Sequence, residues 1–110
     1  MNKDQPSESS ELEPGAQFNR YTIVKTLGRG GMATVYEAIH GDLQKRVALK
    51  TMLPWFALRA DLVQRFMIEA RAASRLAHLH VVAVHDIGVE KSIPFMAMDL
   101  LDGEDLSSML

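Results

Sequence analysis

Within four positions the chain places Gly28, Gly30 and Gly31, and on both sides of them the sequence reads as strand. Upstream, Tyr21-Thr22-Ile23-Val24-Lys25-Thr26-Leu27 is rich in β-branched and aromatic residues, with Tyr21, Ile23, Lys25 and Leu27 alternating against the rest. Downstream, Ala33 to Ile39 alternates again and puts Val35, Glu37 and Ile39 on one face. A turn this dense in glycine lets backbone N–H groups come close to a ligand, and a phosphate chain is the ligand such a turn suits.

Three phosphate loops compete for this stretch. A dinucleotide fingerprint needs a helix straight after the glycines, but Thr34-Val35-Tyr36 opens a strand. A Walker-type loop needs Gly-Lys-Ser or Gly-Lys-Thr, which is absent. A nucleotide-covering hairpin of the Gly-x-Gly-x-x-Gly-x-Val kind fits, with Ala33 at the third glycine's place before Val35. The hairpin alone does not separate that flap from a plain tight turn, so the rest of the chain must decide.

After the turn at Gly41-Asp42-Leu43-Gln44, Lys45 to Met52 reads as a strand, with Val47, Leu49 and Thr51 on one side and Arg46, Ala48 and Lys50 on the other. Pro54 ends it. Asp61 with Gln64 three residues on resembles a capping box. From Leu62 to about Ala77, Leu62, Phe66, Ala70, Ala73 and Ala77 make a narrow apolar helical stripe. Strands follow over Val81 to Val89 and Ile93 to Leu100, turned by Glu90-Lys91-Ser92, and Asp105 to Leu110 reads as the start of a further helix. The expected fold is therefore α+β: five antiparallel strands in the order β-β-β-α-β-β, covered by one helix. Residues 1–19 carry Pro6, Pro14, Gly15 and mostly polar side chains, and are expected to form a disordered tail, with Ser7, Ser9 and Ser10 as conceivable phosphorylation sites.

Composition removes several classes. Twelve basic against fourteen acidic side chains provide no field for nucleic acid or an anionic membrane. No cysteine is present, which excludes a disulfide framework and fits a reducing, cytoplasmic setting. No apolar run approaches the roughly 18–20 residues of a membrane span. His40, His78, His80 and His85 lack metal-site spacing, so no metal site is expected.

From about residue 21 to 110 the sequence resembles the amino-terminal lobe of a protein kinase, in particular the bacterial Ser/Thr kinases of eukaryotic type. Four landmarks carry the likeness: Leu27-Gly28-Arg29-Gly30-Gly31-Met32 leading to Val35, the strand Val47-Ala48-Leu49-Lys50, Glu69 in the helix, and Met98-Asp99-Leu100-Leu101 before Asp102-Gly103. The resemblance implies a five-stranded kinase N-lobe over residues 20–110. It implies ATP as the nucleotide, with Lys50 on its α/β-phosphates and paired to Glu69. Leu27, Gly28, Arg29, Gly30, Gly31, Met32, Ala33 and Val35 would form the flap, and Val35 and Ala48 the apolar ceiling over adenine. Met98 would take the gatekeeper place, Asp99 and Leu101 would offer hinge backbone groups, and Asp105 would reach the ribose.

Outside this constellation, Lys50 and Glu69 read as ordinary solvated charges, with Glu69 pairing Arg65 four residues earlier. Asp105 reads equally well as a helix N-cap. The His-Arg-Asp and Asp-Phe-Gly motifs that supply the base and the magnesium ligands do not occur. The chain is therefore expected to be a truncated kinase domain, inactive alone, with magnesium and the protein substrate engaged only by the complete domain. The competing reading is a non-catalytic module that binds nucleotide or associates lobe-to-lobe with another kinase.

Overall fold

The computed structural model describes residues 11–76 and 84–100. Residues 81–83 of the expected fourth strand, the further helix expected from Asp105, and residues 1–10 of the expected tail lie outside that range. Among the described residues, six strands form one antiparallel sheet: β1 (Gln17–Phe18), β2 (Tyr21–Arg29), β3 (Ala33–His40), β4 (Lys45–Met52), β5 (Val84–Glu90) and β6 (Ile93–Asp99). They lie in the order β1-β2-β3-β4-β6-β5. Helix α1 (Ala60–Leu76) carries the chain from β4 past β6's position to the far edge, and the β5–β6 hairpin then returns inward. The expected antiparallel sheet with one helix is present, with the two-residue β1 added to the expected five strands.

That addition comes from the segment expected to be disordered. Residues 15–18 run antiparallel to the start of β2: Gln17 faces Thr22, Phe18 faces Tyr21, and the Ile23 N–H donates to the Ala16 carbonyl at 2.8 Å. Phe18 is buried edge-on against Phe95, and Leu12 and Ala16 pack on the same core. The polar composition around them hid three apolar residues whose burial orders the segment.

The sheet curls until its edges meet. The Tyr21 hydroxyl on β2 donates to Asp86 on β5 at 3.2 Å, and Asn19 donates from its side chain to Glu90 at 2.8 Å. Inside the curl, Tyr21, Ile23, Tyr36, Ala38, Val47, Leu49, Phe95 and Ala97 form the main core with Phe18. Burial together with the neighbouring Asp86 carboxylate pushes the Tyr21 hydroxyl up to about 12.

Alternation delivers the opposite face to α1. Val47 and Leu49 enter the curl while Ala48 points outward, as the period of two requires. On β2 the expected alternation fails: register shifts between Ile23 and Lys25, and between Thr26 and Gly28, mark bulges, and Leu27 joins the outer cluster while Tyr21 and Ile23 stay inside. Asp61 lies inside the first turn of α1 rather than before it, because the Leu62 and Val63 N–H groups already close on the Arg59 carbonyl. A hydrogen bond from Arg59 holds the Asp61 carboxyl below its ordinary range. Of the apolar stripe, Phe66 and Ala70 are buried and Leu62 packs beside them; the side chain of Ala73 and the whole of Ala77 fall outside what is described.

Two tight turns complete the frame. Lys91 and Ser92 both adopt positive φ (48° and 69°), the two-residue turn whose twist matches a hairpin. At the β3–β4 turn, the His40 ring nitrogen Nδ1 accepts from the Asp42 and Leu43 N–H groups. His40 is thus a turn residue.

Candidate functional site

Strand register assembles the outer face. Across β3 and β4, Val35 faces Lys50 and Glu37 faces Ala48; across β4 and β6, Ala48 faces Met98 and Lys50 faces Met96. Val35, Ala48, Met96 and Met98 therefore meet on one surface, joined by Ala70 of α1, with Leu27 and Leu100 packed against them. Ala48 is fully buried there, in one cluster with Val35 and Met98.

Lys50 follows Ala48 on the same face, two residues or about 7 Å further along β4. Its ammonium is half-buried, and burial lowers its pKa, while the negative charge of Glu69 acts in the opposite sense. Glu69 itself is exposed and pairs with Arg65 at 3.7 Å; among the described residues no ion pair joins it to Lys50. One carboxylate thus pairs with its helical i,i+4 partner while its charge also acts on the strand lysine.

The glycine turn joins this face at its edge. Gly28 and Arg29 end β2, facing Val35 and Thr34, and Gly30, Gly31 and Met32 form the turn itself. The Gly30 N–H closes on the Ala33 carbonyl at 2.8 Å, and the Met32 carbonyl accepts from Leu53 at 2.7 Å, so the turn lies against the end of β4. A Cβ at Gly31 would meet nothing within 4 Å, so the turn has open space beside it. Ala33 is the first residue of β3 and packs with Met52 and Phe66 in the core.

At the other end of the face, Asp99 closes β6. Its Oδ1 accepts from Lys45 Nζ at 2.8 Å and from His85 Nε2, tying β4, β5 and β6 together. Burial acts to raise the Asp99 pKa, but the hydrogen bonds and charges of Lys45 and His85 outweigh it and hold the carboxyl below its ordinary value. A second pair on the outer face, Glu37 Oε2 with Arg46 Nε at 2.9 Å, lies opposite Ala48 in register. Sequence reasoning missed both groupings; their only signal was opposite charge on strands whose pairing was not yet known.

Of the residues singled out from sequence, Leu27, Val35, Ala48 and Met98 come together, Lys50 stands beside them, and Gly28 to Ala33 border them. Glu69 is close but turned to Arg65. Leu101 and Asp105 lie outside the described residues.

The protein kinase domain family matches residues 21–110, most of the chain. The chain belongs to the protein kinase domain family. It is 39% identical over 104 residues to the serine/threonine-protein kinase PknH of Mycobacterium tuberculosis, covering 94% of this chain and 17% of that protein. It is 36% identical over 94 residues to Pkn1 of Myxococcus xanthus, covering 86% of this chain and 14% of that protein. Among solved structures, the kinase domain of PknI from Mycobacterium tuberculosis superposes with a TM-score of 0.69 at 35% identity, covering 90% of this chain and 40% of that one. The chain thus spans the amino-terminal part of a kinase domain and less than a fifth of the length of these curated relatives.

Proposed function

We propose that this chain supplies the ATP-binding lobe of a serine/threonine protein kinase. The observation that carries the reading is the half-buried Lys50 beside the apolar surface of Val35, Ala48 and Met98. Leu27, Val35 and Ala48 lie over the adenine ring, and Met98 lines its back. Backbone groups of Asp99 and Leu101 meet the adenine edge, and Asp105 meets the ribose. The N–H groups of the Gly28–Met32 turn surround the phosphates, where Lys50 places its positive charge against the α/β-oxygens.

Glu69 orients Lys50 once it exchanges Arg65 for the ammonium. In the complete domain, which adds the magnesium ligands and the base, ATP supplies the γ-phosphoryl group for a protein serine or threonine. A cytoplasmic setting accompanies this reading.

The test is an amide shift map of the 15N-labelled chain titrated with ATP. Shifts concentrated on Gly28 to Val35, Ala48 and Lys50, and lost in Lys50→Met, support the reading. Binding that ignores Lys50→Met overturns it.

A second reading, lobe-to-lobe association, draws on Ile68 and Leu58, which stand 57% and 86% exposed on α1 and just before it. Sedimentation that stays monomeric at millimolar concentration removes it.

A further inference from the structure

The segment before the matched kinase span does more than cover the core. It pairs antiparallel with the start of β2 and then reaches the other end of that strand through two side-chain contacts. Gln17 faces Thr22 at the strand's start, and Gly15 donates to the Ile23 carbonyl at 2.7 Å. Further along, the Leu12 N–H donates to the buried Tyr36 hydroxyl at 3.0 Å. At the far end, Glu11 Oε1 meets Arg29 Nη2 at 2.5 Å. Arg29 is the last residue of β2, directly before Gly30, so this last contact falls at the base of the glycine turn.

We infer that Glu11 is a positioning residue for the glycine turn, acting through Arg29, with the Leu12–Tyr36 hydrogen bond holding Glu11 in place. Among the described residues, the backbone of the turn is held by the Gly30–Ala33 hydrogen bond and by the one from Leu53 to Met32, with open space beside Gly31. A charge pair at its base therefore has leverage on its resting position. Leu12 and Ala16 are packed on the core, so the segment is a fixed post rather than a loose arm. The charges of Glu11 and Arg29 also act in opposite senses on the buried Tyr36 hydroxyl, whose pKa is raised chiefly by burial. The three groups form one electrostatic unit, from the core to the turn.

That the turn covers a nucleotide rests on the function proposed above; the coupling of Glu11 to the turn does not. The test is hydrogen exchange at the Gly30, Gly31 and Met32 amides of the 110-residue chain. Glu11→Gln is expected to speed exchange about threefold at these amides, the scale of a half-exposed ion pair. Exchange at Ala38 and Leu49 stays unchanged. Tyr36→Phe, which frees Leu12, loosens the same amides. The swap of Glu11→Arg with Arg29→Glu returns exchange to within about twofold of the parent chain.

Molar salt brings the parent chain to the Glu11→Gln rate. The inference is overturned if Glu11→Gln leaves the turn unchanged, if it speeds exchange equally in all strands, or if the swap fails to restore it. ATP titration of the same variants then separates the two readings. A chain that never binds ATP defeats the proposed function, while the exchange pattern still decides the coupling.

Discussion

Lys50 lies half-buried in the field of Glu69, yet Glu69 holds Arg65 at 3.7 Å. The Arg65 pair is an exposed i,i+4 contact worth about 0.3–0.5 kcal/mol, so little free energy separates the two partners of this carboxylate. The helix needs only a small bias for Glu69 to change sides.

Arg65→Ala should therefore turn Glu69 toward Lys50 and raise the Lys50 pKa, and Glu69→Gln should lower it. Burial depresses this lysine below 10.5. The ammonium is thus disfavoured by folding at neutral pH, and stability should rise as pH climbs through the folded pKa towards the unfolded one. Titration of the Lys50 side-chain carbon by NMR checks the order Glu69→Gln, parent, Arg65→Ala. Identical midpoints in all three would show that Glu69 does not act on Lys50.

The two tyrosines of the chain should ionise late. Tyr21 is pushed up to about 12 and Tyr36 is raised as well, each first by burial. A raised pKa gives stability that is full below the unfolded value of about 10 and fades as pH rises through the folded one. Absorbance at the tyrosinate band should stay flat through about pH 10 and then climb with unfolding. A clean step of one tyrosine at its ordinary pKa in the folded chain contradicts the packing of the curl.

Tyr21→Phe removes the bond that closes the sheet onto Asp86. It should cost about 1 kcal/mol in urea unfolding, the net worth of one such hydrogen bond. Phe18→Ala, which empties the site against Phe95, should cost about 3 kcal/mol. A loss under about 0.5 kcal/mol in Phe18→Ala would mean that the segment before β2 does not belong to the core.

Lys91 and Ser92 hold φ values that L side chains resist. Replacing Lys91→Asn together with Ser92→Gly suits the turn better and should stabilise by about 1 kcal/mol. An unchanged or lowered melting temperature would contradict the turn geometry.

Asp99 carries the acid limb. Its carboxyl sits below the ordinary 3.8, so the stability it contributes is present above that value and is lost as pH falls through the folded pKa. Asp99→Asn should flatten the acid unfolding curve in that window and leave the neutral-to-alkaline limb in place. An acid limb unchanged by Asp99→Asn would show that Lys45 and His85 do not hold this carboxyl.

Much of this was legible in the chain. Period-two alternation in Lys45–Met52 assigned Val47 and Leu49 to one face and Ala48 and Lys50 to the other, because a strand has no other way to distribute them. The glycines between two strands gave the hairpin. What stayed hidden depended on contacts distant in sequence. The bulges that move Leu27 to the outer face need the partner strand to exist. Three apolar residues among polar neighbours, Leu12, Ala16 and Phe18, order a segment whose local composition argues for disorder. For Glu69 the sequence offered two partners, Arg65 by helical spacing and Lys50 by resemblance, and the structure shows the Arg65 pair, with Glu69 acting on Lys50 only through its charge.

The most direct test of the nucleotide assignment is labelling with an ATP acyl-phosphate, which transfers its acyl group to a lysine lying against the phosphates. The chain offers Lys3, Lys25, Lys45, Lys50 and Lys91 as internal competitors. The account predicts acylation concentrated on Lys50 and suppressed by excess ATP. Labelling spread evenly over the lysines and indifferent to ATP would contradict it.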